Sequence, residues 1–213
     1  AVLHEAEQGF RAGQQSSDDN VLVNTVTGDE AAVGYFGYAY YQENLATLTA
    51  LPVKNSDGNF VAPDATTVRD GSYNPLSRPL FMNLLVDAST LEDTLPFMHF
   101  GLFTDAGQAK VGEVGYVSLN ENQEAQMFMS RWLYLAGMTA DGNDEWFDEA
   151  FCGGAKSISI AGSSTVLPLA EAWAEDFQEN TLCPDTTITV ESGGSSSGAG
   201  RVCANSAKGT PVD

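Results

Sequence analysis

The sequence predicts an α/β fold in which a mainly parallel sheet is flanked by helices. Strand, loop and helix patterns alternate twice between Ser157 and Asn205, and this order is typical of neighbouring parallel strands. Each strand is followed by a loop rich in serine and glycine that leads into a helix. Apolar residues make up 43% of the 213 residues, which is enough to form a core. A chain of this length forms one large domain or two small ones.

The first part of the chain predicts short elements separated by turns. Aromatic residues alternate with small residues at 33–41, which indicates a buried strand or a tight turn from a strand into a helix. The remaining elements follow from alternating apolar residues and from turn-forming residues. We expect strands at 21–26, 48–53 and 79–86, a turn at 55–58, and a loop at 63–69.

Helical spacing of apolar residues marks the middle of the chain. It predicts a helix at 91–103, with Ser89 or Thr90 as its N-cap. A strand-like run follows at 114–119, and a second helix is predicted at 121–135. An acidic, glycine-containing stretch then predicts a linker. The predicted segments are therefore 1–136, a linker at 137–155, and 156–213.

The pattern is clearest after the linker. The predicted elements are a strand at 157–161, a loop at 162–165, a helix at 167–179, a strand at 186–191, a small-residue loop at 192–200 and a short helix at 201–205. Apolar residues at helical spacing predict which face of the longer helix is buried. This face consists of Leu169, Ala170, Trp173, Ala174 and Phe177.

Composition excludes several classes of function. With 29 acidic and 9 basic residues, the formal net charge is −20. Nucleic acids and anionic membranes are bound mainly through Lys and Arg, so neither is an expected partner. No apolar run reaches the roughly 18 residues of a membrane span. Residues 1–10 lack a signal-peptide pattern, which predicts either a cytosolic chain or a signal outside it. His4 and His99 are the only histidines, and the three cysteines form no CxxC pattern, so we expect no metal site.

The two loops that connect a strand to a helix have the chemistry of an anion site. The first N–H groups of a helix lack intrahelical acceptors and carry a partial positive charge. Serine hydroxyls add neutral donors, and glycine lets the backbone approach a ligand closely. Two such loops facing one point would suit a small tetrahedral oxyanion, even in an acidic chain, because distant charges are screened.

Three other interpretations apply to the same loops. Both loops could be ordinary helix caps and turns without a ligand. Neither carries the lysine of a nucleotide-binding P-loop. Residues 194–198 match the GxSxG nucleophile elbow, but no histidine follows them in the chain. We therefore expect a binding protein rather than an enzyme, and we expect no cofactor.

Several motifs resemble phosphate-binding proteins of the PstS type, the substrate-binding components of phosphate ABC transporters. Residues 157–173, SISIAGSSTVLPLAEAW, resemble the N-terminal segment of that family, and 190–204, VESGGSSSGAGRVCA, resemble its second phosphate loop. Four earlier stretches resemble its C-terminal segment. These are DDNVLV at 18–23, VGYFGYAYY at 33–41, DGSYNPLSRPLF at 70–81 and VGEVGYVSL at 111–119. The resemblance implies a periplasmic-binding-protein-like lobe of type II.

The order of these segments differs from that in the family, where the GSSTV segment comes first. Here the C-terminal type of segment, 1–136, precedes the N-terminal type, 156–213. The middle of the family sequence, which forms much of a second lobe, has no counterpart. The chain is then an excerpt from tandem repeats, a circular permutant of one lobe, or half of an assembly that exchanges segments.

The resemblance also implies site residues. Ser164 and Thr165 would contact phosphate through hydroxyl or N–H groups, and Val166 through its N–H. In the second loop the contacts would be Ser196, with Ser195 and Ser197 as alternatives, and Gly198, which would leave room for the ligand and free its N–H. Five further residues carry weaker expectations. Asp213 is expected near the site without a defined role, Arg201 is expected to pack or pair with a carboxylate, and Asp70, Ser72 and Arg78 are expected to be structural.

Cys183 and Cys203 flank the second loop's strand and helix, and in an exported protein they could form a disulfide. Cys152 would then be free or paired outside the chain. The implied function is binding of inorganic phosphate by an exported module, periplasmic or extracellular, with a transporter permease or neighbouring repeats as partners. The alternative is a structural repeat of an extracellular assembly with a vestigial anion site.

Overall fold

The computed structural model describes residues 13–84, 88–119, 156–180, 183 and 185–203, with the backbone alone at 88–92, 180 and 203. The predicted helix at 121–135 and the predicted linker at 137–155 lie outside these residues. The chain divides into two compact units, Ala1–Leu80 and Phe81–Asp213, here called unit one and unit two.

Unit one consists of short elements around a small core. Its elements are α1 (Asp19–Thr27), α2 (Tyr38–Glu43), β1 (Val53–Lys54), β2 (Phe60–Val61) and α3 (Ala65–Arg69), with β1 and β2 antiparallel. The buried carboxylate of Asp19, at the start of α1, accepts a hydrogen bond from the Gly37 N–H at 3.2 Å. Gly37 is the N-cap of α2, so this bond joins the beginnings of the two helices.

Three of the predictions for unit one are wrong, and a fourth is met in part. The strand predicted at 21–26 is helix α1, because the Asp18 side chain caps it by accepting from the Asn20 N–H at 2.9 Å. The loop predicted at 63–69 contains α3, which a capping box between Asp64 and Thr67 begins. The strand predicted at 48–53 is too long, since only Val53 of that range lies in a strand. At 33–41 no strand forms because 33–37 is irregular, but helix α2 begins at Tyr38, so the chain does turn into a helix there.

The turn predicted at 55–58 is confirmed and lies at the centre of a hydrogen-bond network. The Asn55 side chain accepts from the Asp57 and Asn59 N–H groups and donates to the Ser72 carbonyl at 3.2 Å. The Asp70 carboxylate accepts from the Ser72 N–H at 2.8 Å. These bonds support the structural roles expected of Asp70 and Ser72.

The hydrogen bonds between Ser72 and the Asp70 carboxylate predict an effect on the Asp70 pKa that can be tested. Hydrogen bonds from the side chain and then the backbone N–H of Ser72 hold the pKa of Asp70 below its usual range. A carboxylate whose pKa is lower in the folded than in the unfolded chain stabilises the fold at pH values above its unfolded pKa, about 3.9. This stabilisation is lost as the pH falls through the folded pKa. We expect Ser72→Ala to raise the Asp70 pKa, as measured by carboxyl NMR titration. Ser56→Ala is the control and should leave the Asp70 pKa unchanged. An Asp70 pKa in its usual range in the natural chain would contradict the prediction.

Unit two is an α/β structure. Its elements are α4 (Ala88–Phe103), α5 (Asp105–Glu113), β3 (Ser157–Gly162), α6 (Leu167–Asn180), β4 (Thr187–Ser192) and α7 (Ser195–Cys203). Strands β3 and β4 are parallel, and their register runs from Ser157↔Thr187 to Gly162↔Ser192. The predicted α/β order with parallel strands is confirmed.

One core joins residues from both sides of the predicted linker. Its buried members are Phe97, Met98, Phe100, Val111, Ile158, Leu169, Trp173, Ala174, Phe177 and Cys183. The Phe177 ring lies edge-on to Phe97 and Phe100, with centroid distances of 5.7 and 5.6 Å. The buried Trp173 Nε1–H donates to the Gly107 carbonyl at 2.7 Å. The two sequence segments therefore depend on each other for burial of their apolar side chains.

The predictions for unit two divide into confirmed and corrected ones. Helix α6 has the predicted position, and all five residues of its predicted apolar face are buried. Helix α4 begins at Ala88, before the predicted N-caps Ser89 and Thr90. No strand is present at 79–84, where Phe81 is exposed, or at 114–119, where Gly115 (φ +83°) ends helix α5. Helix α7 begins at Ser195, not at 201.

Candidate functional site

The two predicted loops lie side by side at the carboxyl ends of the parallel strands. Gly162 is paired with Ser192 at the end of the β3–β4 register. The Gly193 N–H then donates to the Gly162 carbonyl at 3.1 Å, which joins the two loops directly. Helices α6 and α7 both begin just beyond these loops, so two helix N-termini leave the same edge of the sheet.

The first loop is a tight turn organised by Ser163. The Ser163 hydroxyl accepts from the Thr165 N–H at 3.2 Å, and its carbonyl accepts from the Val166 and Leu167 N–H groups at 3.0 and 3.1 Å. Ser164 is buried, whereas Thr165 and Val166 are half-buried. The N–H that we predicted Val166 would offer to a ligand therefore donates within the loop in this structure.

The second loop is shorter than predicted. It consists of Gly193 and Gly194, and Gly194 has a φ of +82°, a conformation that favours glycine. Ser195, Ser196 and Ser197 form the first turn of α7, and all three are exposed. The N–H groups at the first two positions of a helix have no intrahelical acceptor, so those of Ser195 and Ser196 are the donors this loop can present.

Gly198 has a different role from the one predicted. Its N–H donates to the Gly194 carbonyl at 3.2 Å, together with that of Ser197 at 3.0 Å. A Cβ atom on Gly198 would lie 2.4 Å from the Ala161 carbonyl oxygen and 2.8 Å from the Gly162 Cα. The missing side chain thus makes room for the end of β3, and the N–H that we predicted to be free donates within the loop.

An arginine at this edge of the sheet is paired with a carboxylate. Arg201 of α7 forms a 2.8 Å salt bridge with Glu191, near the end of β4, which confirms that Arg201 pairs with a carboxylate. Because the guanidinium is engaged, attraction of an anion would depend on backbone N–H groups, hydroxyls and the two helix N-termini.

Tyr116 is a neighbour of the first loop that the sequence patterns did not predict. Its phenol donates a hydrogen bond to the Thr165 carbonyl. Tyr116 follows α5, in the other predicted segment from Thr165. No motif relates the two positions, so their proximity is a result of the tertiary structure.

The remaining predicted residues have different outcomes. Cys183 is buried and disulfide-bonded, while the side chains of Cys203 and Cys152 lie outside the described residues, so the pairing stays a prediction. Asp213 also lies outside them. Arg78 is an exposed residue of unit one.

A shallow cavity of about 490 Å³ lies between α6 and β4. Its lining residues are Glu171, Ala174, Glu175, Gln178, Glu179 and Val190. The three carboxylates make it unfavourable for an anion, and none of its residues belongs to either loop. Within the described ranges, no group of three His, Cys, Asp or Glu residues could hold a metal ion. None of the helices described has the length and hydropathy of a membrane span.

Comparison with known proteins finds similar sequences of the PstS type, although no family model matches the chain. Protein SphX of Synechococcus elongatus is 41% identical over 104 residues, which cover 49% of this chain and 30% of SphX. The phosphate-binding protein PstS of Staphylococcus saprophyticus is 34% identical over 114 residues, which cover 53% of this chain and 35% of PstS.

The chain is a relative of the PstS-type phosphate-binding proteins. The resemblance read from the motifs is thus confirmed, and the parallel strand pair with its helices agrees with the lobe that it implies. The matched part of the chain spans about a third of the length of these PstS-type relatives. A solved phosphate-binding protein of a phosphate ABC transporter from Streptococcus pneumoniae is also similar, at 23% identity and a TM-score of 0.48, covering 91% of this chain and 60% of that one.

Proposed function

We propose that the paired loops at the end of the β3–β4 sheet bind inorganic phosphate. The observation that carries this proposal is the hydrogen bond from the Gly193 N–H to the Gly162 carbonyl. It brings the N-termini of α6 and α7 to one edge of the sheet, where their dipoles favour an anion. The relatives named for phosphate binding support phosphate among the possible oxyanions.

The proposed contacts are redistributed by the loop geometry. Ser195 and Ser196 offer N–H and hydroxyl groups at the start of α7, and Ser164 and Thr165 offer hydroxyls at the start of α6. Val166 and Gly198 donate to Ser163 and Gly194, so each would have to give up an internal acceptor to reach phosphate. We therefore assign them no direct contact, and Ser197 is a secondary one because its N–H is also engaged.

We further propose that this site is one half of a two-lobed clamp. Segments 1–136 and 156–213 would correspond to the C-terminal and N-terminal parts of binding-protein repeats joined by a linker at 137–155. A single lobe leaves phosphate open to water, so affinity of the chain alone should be millimolar or weaker, about −4 kcal/mol at most. In the whole protein, the module would be exported and would deliver phosphate to an ABC transporter permease.

The proposal predicts loop-specific phosphate binding by the full chain. Titration with inorganic phosphate, followed by amide NMR, should move resonances of 163–166 and 193–197 and give a millimolar constant. Removing one hydroxyl that bonds a charged ligand costs about 1.5 kcal/mol, so Thr165→Ala and Ser196→Ala should each weaken binding roughly tenfold.

Ser157→Ala is the matched control, since Ser157 is exposed at the opposite end of β3. It should bind phosphate as the natural chain does. The binding proposal is wrong if phosphate leaves the loop resonances unchanged, or if all three variants weaken binding equally. The single-lobe interpretation is wrong if the constant is micromolar.

A further inference from the structure

Tyr116 is held in place by the end of helix α5. Gly115 adopts φ +83° and donates its N–H to the Gly112 carbonyl at 3.0 Å, while the Tyr116 N–H donates to Val111 at 2.9 Å. These two bonds are those of a Schellman cap. The cap uses glycine at the one position that requires a left-handed backbone, and it fixes the direction in which the chain leaves α5.

The Tyr116 phenol completes the hydrogen bonding of the first loop. In a regular helix, the Thr165 carbonyl would accept from the N–H four residues later, which is that of Leu169. Here the Leu169 N–H donates to Val166 at 3.1 Å. The Tyr116 hydroxyl donates to the Thr165 carbonyl. A half-buried side chain from the end of α5 thus supplies a donor to the carbonyl that precedes α6.

We propose that Tyr116 is a positioning residue for the proposed phosphate site. The Thr165–Val166 peptide is trans, so its carbonyl and its N–H point in opposite directions across one rigid plane. Holding the Thr165 carbonyl therefore fixes the direction of the Val166 N–H, which closes the turn onto Ser163. The same constraint sets where the Ser164 and Thr165 hydroxyls lie at the start of α6.

This inference rests on the proposed function for its ligand, but not for its geometry. Tyr116 makes no proposed contact with phosphate and acts only through the Thr165–Val166 peptide. A residue that served only to fill space would be replaced without effect by phenylalanine, because the ring remains. The hydroxyl alone carries the positioning role, and this difference makes the two roles separable.

The test compares Tyr116→Phe with Tyr73→Phe in the full chain. Tyr73 is a half-buried tyrosine of unit one and serves as the control. Loss of one hydrogen bond of about 1 kcal/mol corresponds to roughly fivefold. We expect Tyr116→Phe to accelerate hydrogen exchange at the Val166 amide and to shift amide resonances confined to 163–167. We also expect it to weaken binding of inorganic phosphate about fivefold, and Tyr73→Phe should do none of these.

Two results would overturn the inference. One is unchanged Val166 exchange in Tyr116→Phe, which would mean that the hydroxyl does not hold the loop. The other is resonance shifts spread through the core of unit two, which would indicate a packing role alone. If the natural chain binds no phosphate, the proposed function fails by itself. Hydrogen exchange of the Val166 amide, measured without phosphate, then tests the role of Tyr116. Faster exchange in Tyr116→Phe supports the proposal that the hydroxyl holds the loop, and unchanged exchange refutes it.

Discussion

Replacing Gly107 by alanine should strongly destabilise unit two, although the substitution adds a single methyl group. A Cβ atom at this position would lie 2.1 Å from the Phe100 carbonyl oxygen and 2.7 Å from the Gly101 Cα. Both are backbone atoms, so rotation of a side chain cannot relieve the overlap. The Gly107 carbonyl also accepts the buried Trp173 N–H, and a shift of α5 would break that bond.

The expected loss combines two effects. Overpacking a core typically costs about 1–3 kcal/mol, and leaving a buried hydrogen-bonding group without its partner costs about 1–3 kcal/mol more. Together, a loss of about 3 kcal/mol or more in the free energy of unfolding is expected. Urea unfolding of the full chain, followed by methyl resonances of unit two, would measure it.

Gly112→Ala is the matched control in the same helix. No atom lies within 4 Å of its added Cβ, and the position is exposed. Alanine is favoured over glycine inside a helix by about 0.5–1 kcal/mol, so this variant should be slightly more stable than the natural chain. Equal effects of the two substitutions would show that helix propensity, and not the approach of α4 to α5, governs Gly107.

Gly198→Ala should disrupt the proposed anion site itself. Its Cβ would lie 2.4 Å from the Ala161 carbonyl oxygen, so α7 would have to move away from the end of β3. That displacement strains the bond from the Gly193 N–H to the Gly162 carbonyl and separates the two helix N-termini. We expect a stability loss of about 1–3 kcal/mol and loss of measurable phosphate binding in amide NMR titrations.

Gly200→Ala tests whether the effect belongs to the position or to the helix. Gly200 is exposed on the same helix, and its added Cβ would meet no atom within 4 Å. It should keep the phosphate response of the natural chain with equal or higher stability. Normal phosphate binding by Gly198→Ala would refute the importance of the close approach between α7 and β3.

Local sequence patterns were sufficient where they agreed with long-range packing. Strands β3 and β4 and helix α6 have the predicted positions, because the apolar periodicity of each element faces the core that the others complete. The same patterns failed in unit one, where the helix at 19–27 reads as an alternating strand. There, Asp18 caps the helix and few apolar side chains are buried, so short-range capping outweighed the weak alternation.

The candidate site was likewise predicted only in part. Its two loops, their serines and their position at the carboxyl ends of parallel strands could be read from the sequence, because a strand–loop–helix order constrains where such loops lie. The beginning of α7 at Ser195 could not, since glycine and serine have weak local preferences. The internal bonds of Val166 and Gly198 also depended on backbone geometry that the sequence leaves open.

Sequence patterns alone predicted the resemblance to PstS-type proteins, the order of strands and helices around the paired loops, and the buried face of α6. Which residues meet depends on long-range packing. It placed Trp173 against Gly107, Gly198 against Ala161, and the Tyr116 phenol on the Thr165 carbonyl. These pairs are far apart in the chain, and no local preference encodes them. The Trp173–Gly107 and Tyr116–Thr165 pairs arise because segments on both sides of the predicted linker bury their apolar side chains in one core. Gly198 meets Ala161 because α7 begins just beyond β4, which is paired with β3.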